Sequence, residues 1–319
     1  MPAAPTSLDD IRAARDVIRG RLHRTPMFTS RILGERAGVQ LFLKAENLQK
    51  TGAFKVRGVL NKLHHLSDEE KRRGLITISA GNHGQALAYA AGVAGLRATI
   101  VMPGNARATK VAACKTYGAE VVVGGTVHEA FETVEELRRT RALTLVHPYN
   151  DPFVIAGQGT VGLEILEDVP DVDVVYVGIG GGGLISGVAA AIKLSRPGAR
   201  VIGVEPDGAP TLTAALRAHA PVRLESVHTI ADGLSAPVAG ELTLAAVERF
   251  VDEVVLVSDA EIAEAMTLLL QYAKLLVEPA GAAGVAALLA GRGAPSRGGR
   301  AVALLSGGNV DLSLLKDLL

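Results

Sequence analysis

Short, almost wholly apolar runs recur along this chain, and each ends in, or is followed at once by, glycine, proline or another small residue. They are LITIS (75–79), RATIVMP (97–103), AEVVVGG (119–125), DVVYVGI (173–179), RVIGVEP (200–206), EVVLVS (253–258) and AVALLSGG (301–308). A strand that alternates polar and apolar residues has one face in water. A strand without alternation is covered on both faces, as in parallel sheets. Between the runs lie helical segments rich in small residues, such as AGNHGQALAYAAGVAG (80–95) and LISGVAAAIKLS (184–195). Further helices are expected through ATKVAACKTYG (108–118) and near 127–140. This order predicts an α/β, doubly wound architecture with open, mostly parallel sheets and helices on both faces.

A chain of 319 residues is long for one compact core, so two lobes are expected. The clustering of strand–helix units gives a small lobe over 75–147. A large lobe takes 1–74 and 148–319, including the strand in VQLFLKAEN (39–47). Lys plus Arg number 33 and Asp plus Glu also 33, so no net field draws the chain to nucleic acid or an anionic membrane. Tryptophan is absent, which removes the best base-stacking side chain. The KRR stretch at 71–73 reads as a solvated helix end. Cys114 is the one cysteine, which excludes an internal disulfide; it reads as a small buried apolar residue. The N-terminus MPAAPTSLDD lacks the order of a secretory signal, and no apolar run nears the roughly 20 residues that span a bilayer. A soluble cytoplasmic protein with a small-molecule ligand is expected.

In open α/β sheets, ligands sit beyond the carboxyl ends of the strands. There this sequence sets Ser79-Ala80-Gly81-Asn82-His83-Gly84, then Gly180-Gly181-Gly182-Gly183, then Glu205, then Ser306-Gly307-Gly308-Asn309. Turn-formers are ordinary at strand ends, so Asn82, His83 and Ser306 are weak signals singly. The glycine run is stronger, because consecutive N–H groups meet the positive end of a following helix, which suits phosphate. Gly178 to Gly183 also match G-x-G-x-x-G, with Glu205 where a ribose-binding acid would lie. A dinucleotide is therefore a rival ligand. A P-loop is excluded, since no Gly-Lys-Ser/Thr follows.

Lys55 separates the two. It stands in TGAFKVRG (51–58) among Ala53, Phe54 and Val56. Desolvation would lower its pKa and free the amine as a nucleophile. An amine beside a monophosphate cradle is what pyridoxal 5′-phosphate requires. A lysine on a helix surface is the bland alternative.

KTGAFKVRG (50–58), SAGNHGQALA (79–88), GGGGLISG (180–187), VEPAGA (277–282) and LSGGN (305–309) together resemble the serine/threonine dehydratase family. These are pyridoxal-phosphate enzymes of fold type II, the tryptophan-synthase β-like fold. The resemblance runs from HRTPMFTS (23–30) to LLSGGN (304–309), nearly end to end. It implies that Lys55 condenses with the cofactor aldehyde and later takes the Cα proton. Phe54 would pack on the ring, Asn82 would donate to its phenolic oxygen, and Ser306 would face its nitrogen. The backbone of Gly180, Gly181, Gly182, Gly183 and Leu184 would hold the phosphate. Gly233 would line the ring, and Glu278 would sit in the pocket. The loop Ser79, Ala80, Gly81, Asn82 and His83 would take the substrate carboxylate. A homodimer or homotetramer is implied as well.

Four features of this sequence refine the resemblance. Residue 53 is Ala where the family has Ser, so somewhat weaker cofactor retention is expected. Ala80 stands where related serine racemases carry a second serine as a base; alanine moves no proton, which favours elimination over racemisation. Glu205 and the Ala209 carbonyl match a divalent-cation site of many relatives. The further acid of that site is Thr211 here, which weakens it. Lastly, the chain ends soon after its last strand, where isoleucine-regulated relatives add a regulatory domain, so feedback through such a domain is not expected. The expected reaction is dehydration and deamination of L-threonine to 2-oxobutanoate, or of L-serine to pyruvate. The alternatives are a serine racemase, a dehydratase of 3-hydroxyaspartate or phenylserine, a dinucleotide oxidoreductase, and a non-catalytic binding protein.

Overall fold

The computed structural model describes residues 6–104 and 106–318; the first residues of the N-terminal stretch read for a signal lie outside them. The strands are β1 (Met27–Thr29), β2 (Gln40–Ala45), β3 (Leu75–Ile78), β4 (Ala98–Met102), β5 (Glu120–Val123), β6 (Thr144–Leu145), β7 (Val174–Gly178), β8 (Arg200–Pro206), β9 (Glu253–Val257) and β10 (Arg300–Leu305). They form two sheets. One has the order β1-β2-β10-β7-β8-β9 and the other β5-β4-β3-β6. Every pairing is parallel except β1 with β2.

Strict side-chain alternation along a strand sends its apolar residues to two cores. Val174 and Tyr176 of β7 join a core with Val302's neighbours Ala301 and Ala303, under the helix Pro279–Leu289. Val175 and Val177 join the opposite core, under the helices Pro152–Asp168 and Gly183–Ser195. In the smaller sheet, Leu75 and Ile100 pack on the helices Lys55–His65 and Asn82–Val93, whereas Ile76 and Val101 meet Ala130 and Val134 of the helix Val127–Arg141. The α/β fold with mostly parallel sheets covered on both faces is therefore present. Burying a Val or Ile from water contributes about 1.5–3 kcal/mol, and here both faces of each central strand gain it.

The strands β1 and β6, of three and two residues, are not among the runs expected from the sequence. The last strand stops at Leu305, so Ser306 to Gly308 lie beyond its carboxyl end, as expected. In the polar run KAENLQK (44–50), Lys44, Glu46, Asn47 and Gln49 are buried. The KRR stretch ends the exposed helix Asp68–Arg73, as expected, and Cys114 is buried, which pushes its thiol up to about 11. Among the described residues no helix is long and apolar enough to cross a membrane.

Candidate active site

Lys55 opens the helix Lys55–His65, and what precedes it fixes its position. Thr51 and Gly52 take left-handed backbone (φ 64 and 70). The chain then runs extended at Ala53, which bridges Gly307, and the Phe54 N–H donates to Ser306 O at 3.1 Å. The lysine is thus fastened to the end of β10. Ala53, Phe54 and Val56 are buried around it. Its Nζ donates to Pro148 O at 2.9 Å and lies 5.2 Å from the Phe54 ring centre. Burial lowers its pKa to about 8, against the opposing pull of Glu278. This is not a surface lysine.

The glycine run joins β7 to the helix Gly183–Ser195, and Gly182 caps that helix at φ 90. Among the described residues the N–H groups from Gly180 to Ile185 meet no protein acceptor; the first bond of the helix is Ser186 N–H to Gly182 O, 3.0 Å. Free N–H groups at the positive end of a helix form an anion site. Tyr149 closes the far side. A Cβ on Gly181 would collide with its ring, and one on Gly183 would lie 2.9 Å from its Cα. The Tyr149 hydroxyl donates to Val238 O at 2.8 Å, which locks the ring.

The loop after β3 leads into the helix Asn82–Val93, with Gly81 as cap. The Gly81 N–H is held by Ser79 Oγ at 3.1 Å, and Ala80 is half-buried beside it. The Nδ2 of Asn82 donates to Glu278 Oε1 at 2.6 Å. Glu278 is buried, and desolvation, then the charge of Asp232, raises it to about 7. A Cβ on Gly233 would lie 3.7 Å from the same carboxylate oxygen, and one on Gly307 would collide with it. Gly180 packs against Gly233 O and Leu234. Ser306 is buried, and its Oγ donates to Ala280 O at 3.3 Å. His83 donates from Nε2 to Val146 O at 2.9 Å, so its Nδ1 carries the lone pair; that atom is buried and unpartnered. Burial, then the charge of Lys55, presses its pKa down to about 3. Phe54, Lys55, Asn82, His83, the glycine run with Leu184, Gly233, Glu278 and Ser306 thus gather around strand ends from both sheets.

Glu205 points elsewhere. It is buried, and its carboxylate accepts from Leu212 N–H at 2.6 Å and from Thr213 N–H at 2.9 Å and Oγ1 at 2.7 Å, capping the helix Thr211–Ala218. The Ala209 carbonyl accepts from Thr211 N–H at 2.9 Å. Among the described residues no three His, Cys, Asp or Glu side chains gather as metal ligands would. An acid committed to helix amides is not offered to a ribose either, so the G-x-G-x-x-G match loses its partner.

The stretch His147-Pro148-Tyr149 was missed by the sequence reading. It follows β6, supplies the carbonyl that holds Lys55 and backs the glycine run. His147 Nδ1 accepts from the N–H groups of Tyr149 at 3.2 Å and Asn150 at 2.8 Å, and burial lowers its pKa to about 4. The available signal was LTLV (143–146) running into HPYND (147–151), an apolar run ending in turn-formers like the others.

The donor set fits pyridoxal 5′-phosphate: a desolvated amine for an aldehyde, unengaged amides for one phosphate, a carboxamide and a neutral hydroxyl for the polar atoms of a ring. Comparison with known proteins agrees. Residues 18–307 match the family described as pyridoxal-phosphate dependent enzyme. An L-threonine ammonia-lyase of Thermotoga maritima is 45% identical over 98% of this chain and 78% of its own. The T.th. threonine deaminase superposes with a TM-score of 0.90 at 42% identity, covering 96% of this chain and 99% of that one. Maize serine racemase superposes with a TM-score of 0.93 at 39% identity, covering 98% and 97%. With a desolvated amine and a glycine run that fit that chemistry, the chain belongs to the pyridoxal-phosphate-dependent enzymes, and pyridoxal 5′-phosphate is its cofactor.

Proposed function

We propose that this enzyme eliminates the β-hydroxyl of a small hydroxy amino acid and releases its nitrogen as ammonia. L-threonine gives 2-oxobutanoate and L-serine gives pyruvate. The observation that carries the reading is the Lys55 amine, held 2.9 Å from Pro148 O and 5.2 Å from the Phe54 ring centre, where desolvation lowers its pKa to about 8. At neutral pH about one in ten such amines is unprotonated, several hundredfold more than for an exposed lysine.

Bound pyridoxal phosphate supplies an aldehyde for the substrate amine and a conjugated ring that draws electrons from the Cα–H bond. The N–H groups from Gly180 to Leu184 hold its phosphate. Asn82 donates to its phenolic oxygen, Phe54 and Gly233 line its ring, and Ser306 offers its nitrogen a neutral hydroxyl. A neutral partner leaves the ring a weaker sink than a carboxylate would, which suits a reaction in which a leaving group departs at once from Cβ. The start of the helix Asn82–Val93 holds the substrate carboxylate, together with Ser79 to Gly81. Lys55 Nζ, as the free amine, would accept the Cα proton. His83 and His147 stay neutral beside it, so no second cation competes for the carboxylate. Residues 75–147 act as the small lobe that carries the carboxylate loop, and residues 1–74 with 148–319 as the large one. The enzyme works in the cytoplasm as a homodimer or homotetramer.

Similarity to maize serine racemase keeps a second reading in play. Racemisation needs a base on each face of Cα. Ala80 offers none, and His83 Nδ1, the unpartnered acceptor of the same loop, is a weak base at a pKa of about 3. Elimination is therefore favoured. The test is 2-oxo-acid release from cofactor-loaded protein given L-threonine, L-serine, D-serine, threo-3-hydroxyaspartate or phenylserine. Rapid 2-oxobutanoate formation is expected, falling by about 10²–10⁴ or more in Lys55→Ala. Turnover unchanged in Lys55→Ala would refute the mechanism. Turnover of another hydroxy amino acid alone would keep the chemistry and change the substrate.

A further inference from the structure

Asn309 ends the LSGGN motif, and nothing above gives it a task. Its Nδ2 uses both hydrogens: one goes to Thr51 O at 2.7 Å, the other to Asn82 Oδ1 at 2.8 Å. Thr51 belongs to the left-handed turn that delivers Lys55. Asn82 opens a helix of the other sheet and donates from Nδ2 to Glu278 Oε1. Gly52 makes room, since a Cβ there would collide with Asn309 Oδ1, and the Gly308 N–H holds Gly52 O at 2.9 Å.

The order of these bonds carries an orientation. A backbone carbonyl only accepts, so Thr51 O fixes which end of the Asn309 amide faces it. The remaining Nδ2 hydrogen of Asn309 then requires an acceptor, which turns Asn82 Oδ1 toward it. The Asn82 amino group is left on the other side. One of its hydrogens goes to Glu278, and the second has no protein acceptor among the described residues. Reversed, the Asn82 amide would set a carbonyl oxygen against an oxygen of the cofactor, acceptor to acceptor.

We propose that Asn309 is a positioning residue: it sets which end of the Asn82 amide faces the cofactor, and it ties that choice to the turn that delivers Lys55. The inference rests on the reading that Asn82 donates to the cofactor. The experiment compares holoenzyme carrying Asn309→Asp, Asn309→Ala, Asn82→Ala and the double Asn309→Ala/Asn82→Ala. Three readouts are taken: the visible absorption band of the bound cofactor, the pH at which that band titrates, and the cofactor dissociation constant.

Asn309→Asp keeps shape but removes both donated hydrogens. Asn309→Ala adds no charge and carries the test should the aspartate variant fail to fold. Each is expected to move the band and its titration and to weaken cofactor binding about tenfold, the effect of one lost hydrogen bond of about 1.4 kcal/mol. In the Asn82→Ala background, Asn309→Ala should add almost nothing, because it acts through Asn82. A fully additive double variant, or an unmoved band in Asn309→Ala when Asn82→Ala moves it, overturns the inference alone. A band unmoved by Asn82→Ala overturns the placement of Asn82 and the inference with it.

Discussion

Lys55 and Glu278 titrate in opposite directions for the same reason. Burial disfavours both charged forms, lowering the amine to about 8 and raising the carboxyl to about 7. For Glu278 the folded pKa lies above its unfolded value of 4.5, so between about 4.5 and 7 the folded state holds the extra proton. Stability contributed by this group is therefore full at low pH and lost as pH rises through that window. His83 and His147 act oppositely. Their folded values of about 3 and 4 lie below 6.5, so they favour the fold increasingly as pH rises toward 6.5. Glu278→Gln keeps an acceptor for Asn82 and removes the titration. Urea unfolding of the cofactor-free protein from about pH 5 to about pH 8 should show the variant gaining on the parent as pH rises. The gain is bounded by about 3 kcal/mol at 1.36 kcal/mol per pKa unit. The difference between the two curves cancels the histidines. Parallel curves would mean that the carboxyl is not held above its ordinary value.

At the scale of elements, what sets the Lys55 amine relative to the glycine run is a contact among three helices. The helix Pro152–Asp168 touches Lys55–His65 on one side and Gly183–Ser195 on the other, backbone to backbone. A Cβ on Gly157 would lie 2.6 Å from Gly58 Cα, and one on Gly187 would collide with Ile155 O. Two of these helices begin at the site itself, at Lys55 and at the glycine run. Gly187→Ala gains about 1 kcal/mol of helix propensity but presses a methyl into backbone that cannot rotate away, at about 1–3 kcal/mol or more. The loss should win. A lower midpoint of chemical unfolding and weaker cofactor binding are expected together; an unchanged midpoint would show that the helices separate freely. The sequence hid this. Gly157 and Gly187 sit in small-residue helical runs like any others, and only the long-range crossing gives them meaning. The strand ends were legible because β-branched runs stop at glycine, which exposed Lys55's neighbours, the glycine run and Asn82. His147 and Tyr149 were not, because β6 has two residues and its turn reads as a boundary between lobes.

Across the whole molecule, the least legible feature is the buried charge behind Lys55. In the polar run 44–50 Lys44 and Glu46 are fully buried, as is Arg57. Arg57 bonds Glu46 through Nε at 2.8 Å and Nη2 at 2.8 Å, and Glu164 through Nη1 at 2.6 Å and Nη2 at 3.0 Å. Lys44 adds Glu164 at 2.7 Å and Thr25 O at 2.8 Å. The cluster joins β2, the Lys55 helix and the helix Pro152–Asp168, and Arg57 stands two residues along the chain from Lys55. At its buried centre Lys44 and Arg57 face Glu46 and Glu164, and at its rim Asp168, 3.6 Å from Lys44, is paired by Arg24 at 2.6 Å, so the group is balanced as a unit and unbalanced by any single loss. Arg57→Met should cost about 3–5 kcal/mol, because it leaves two buried carboxylates with one ammonium. Arg57→Lys should also lose stability, since one ammonium cannot make paired bonds to both. Arg57→Met with Glu46→Leu removes one charge of each sign and leaves Lys44 with Glu164. That double variant should recover more than half of the loss in urea unfolding. If it recovers nothing, the single loss comes from packing rather than unpaired charge, and the cluster holds the Lys55 helix by shape instead of by balance.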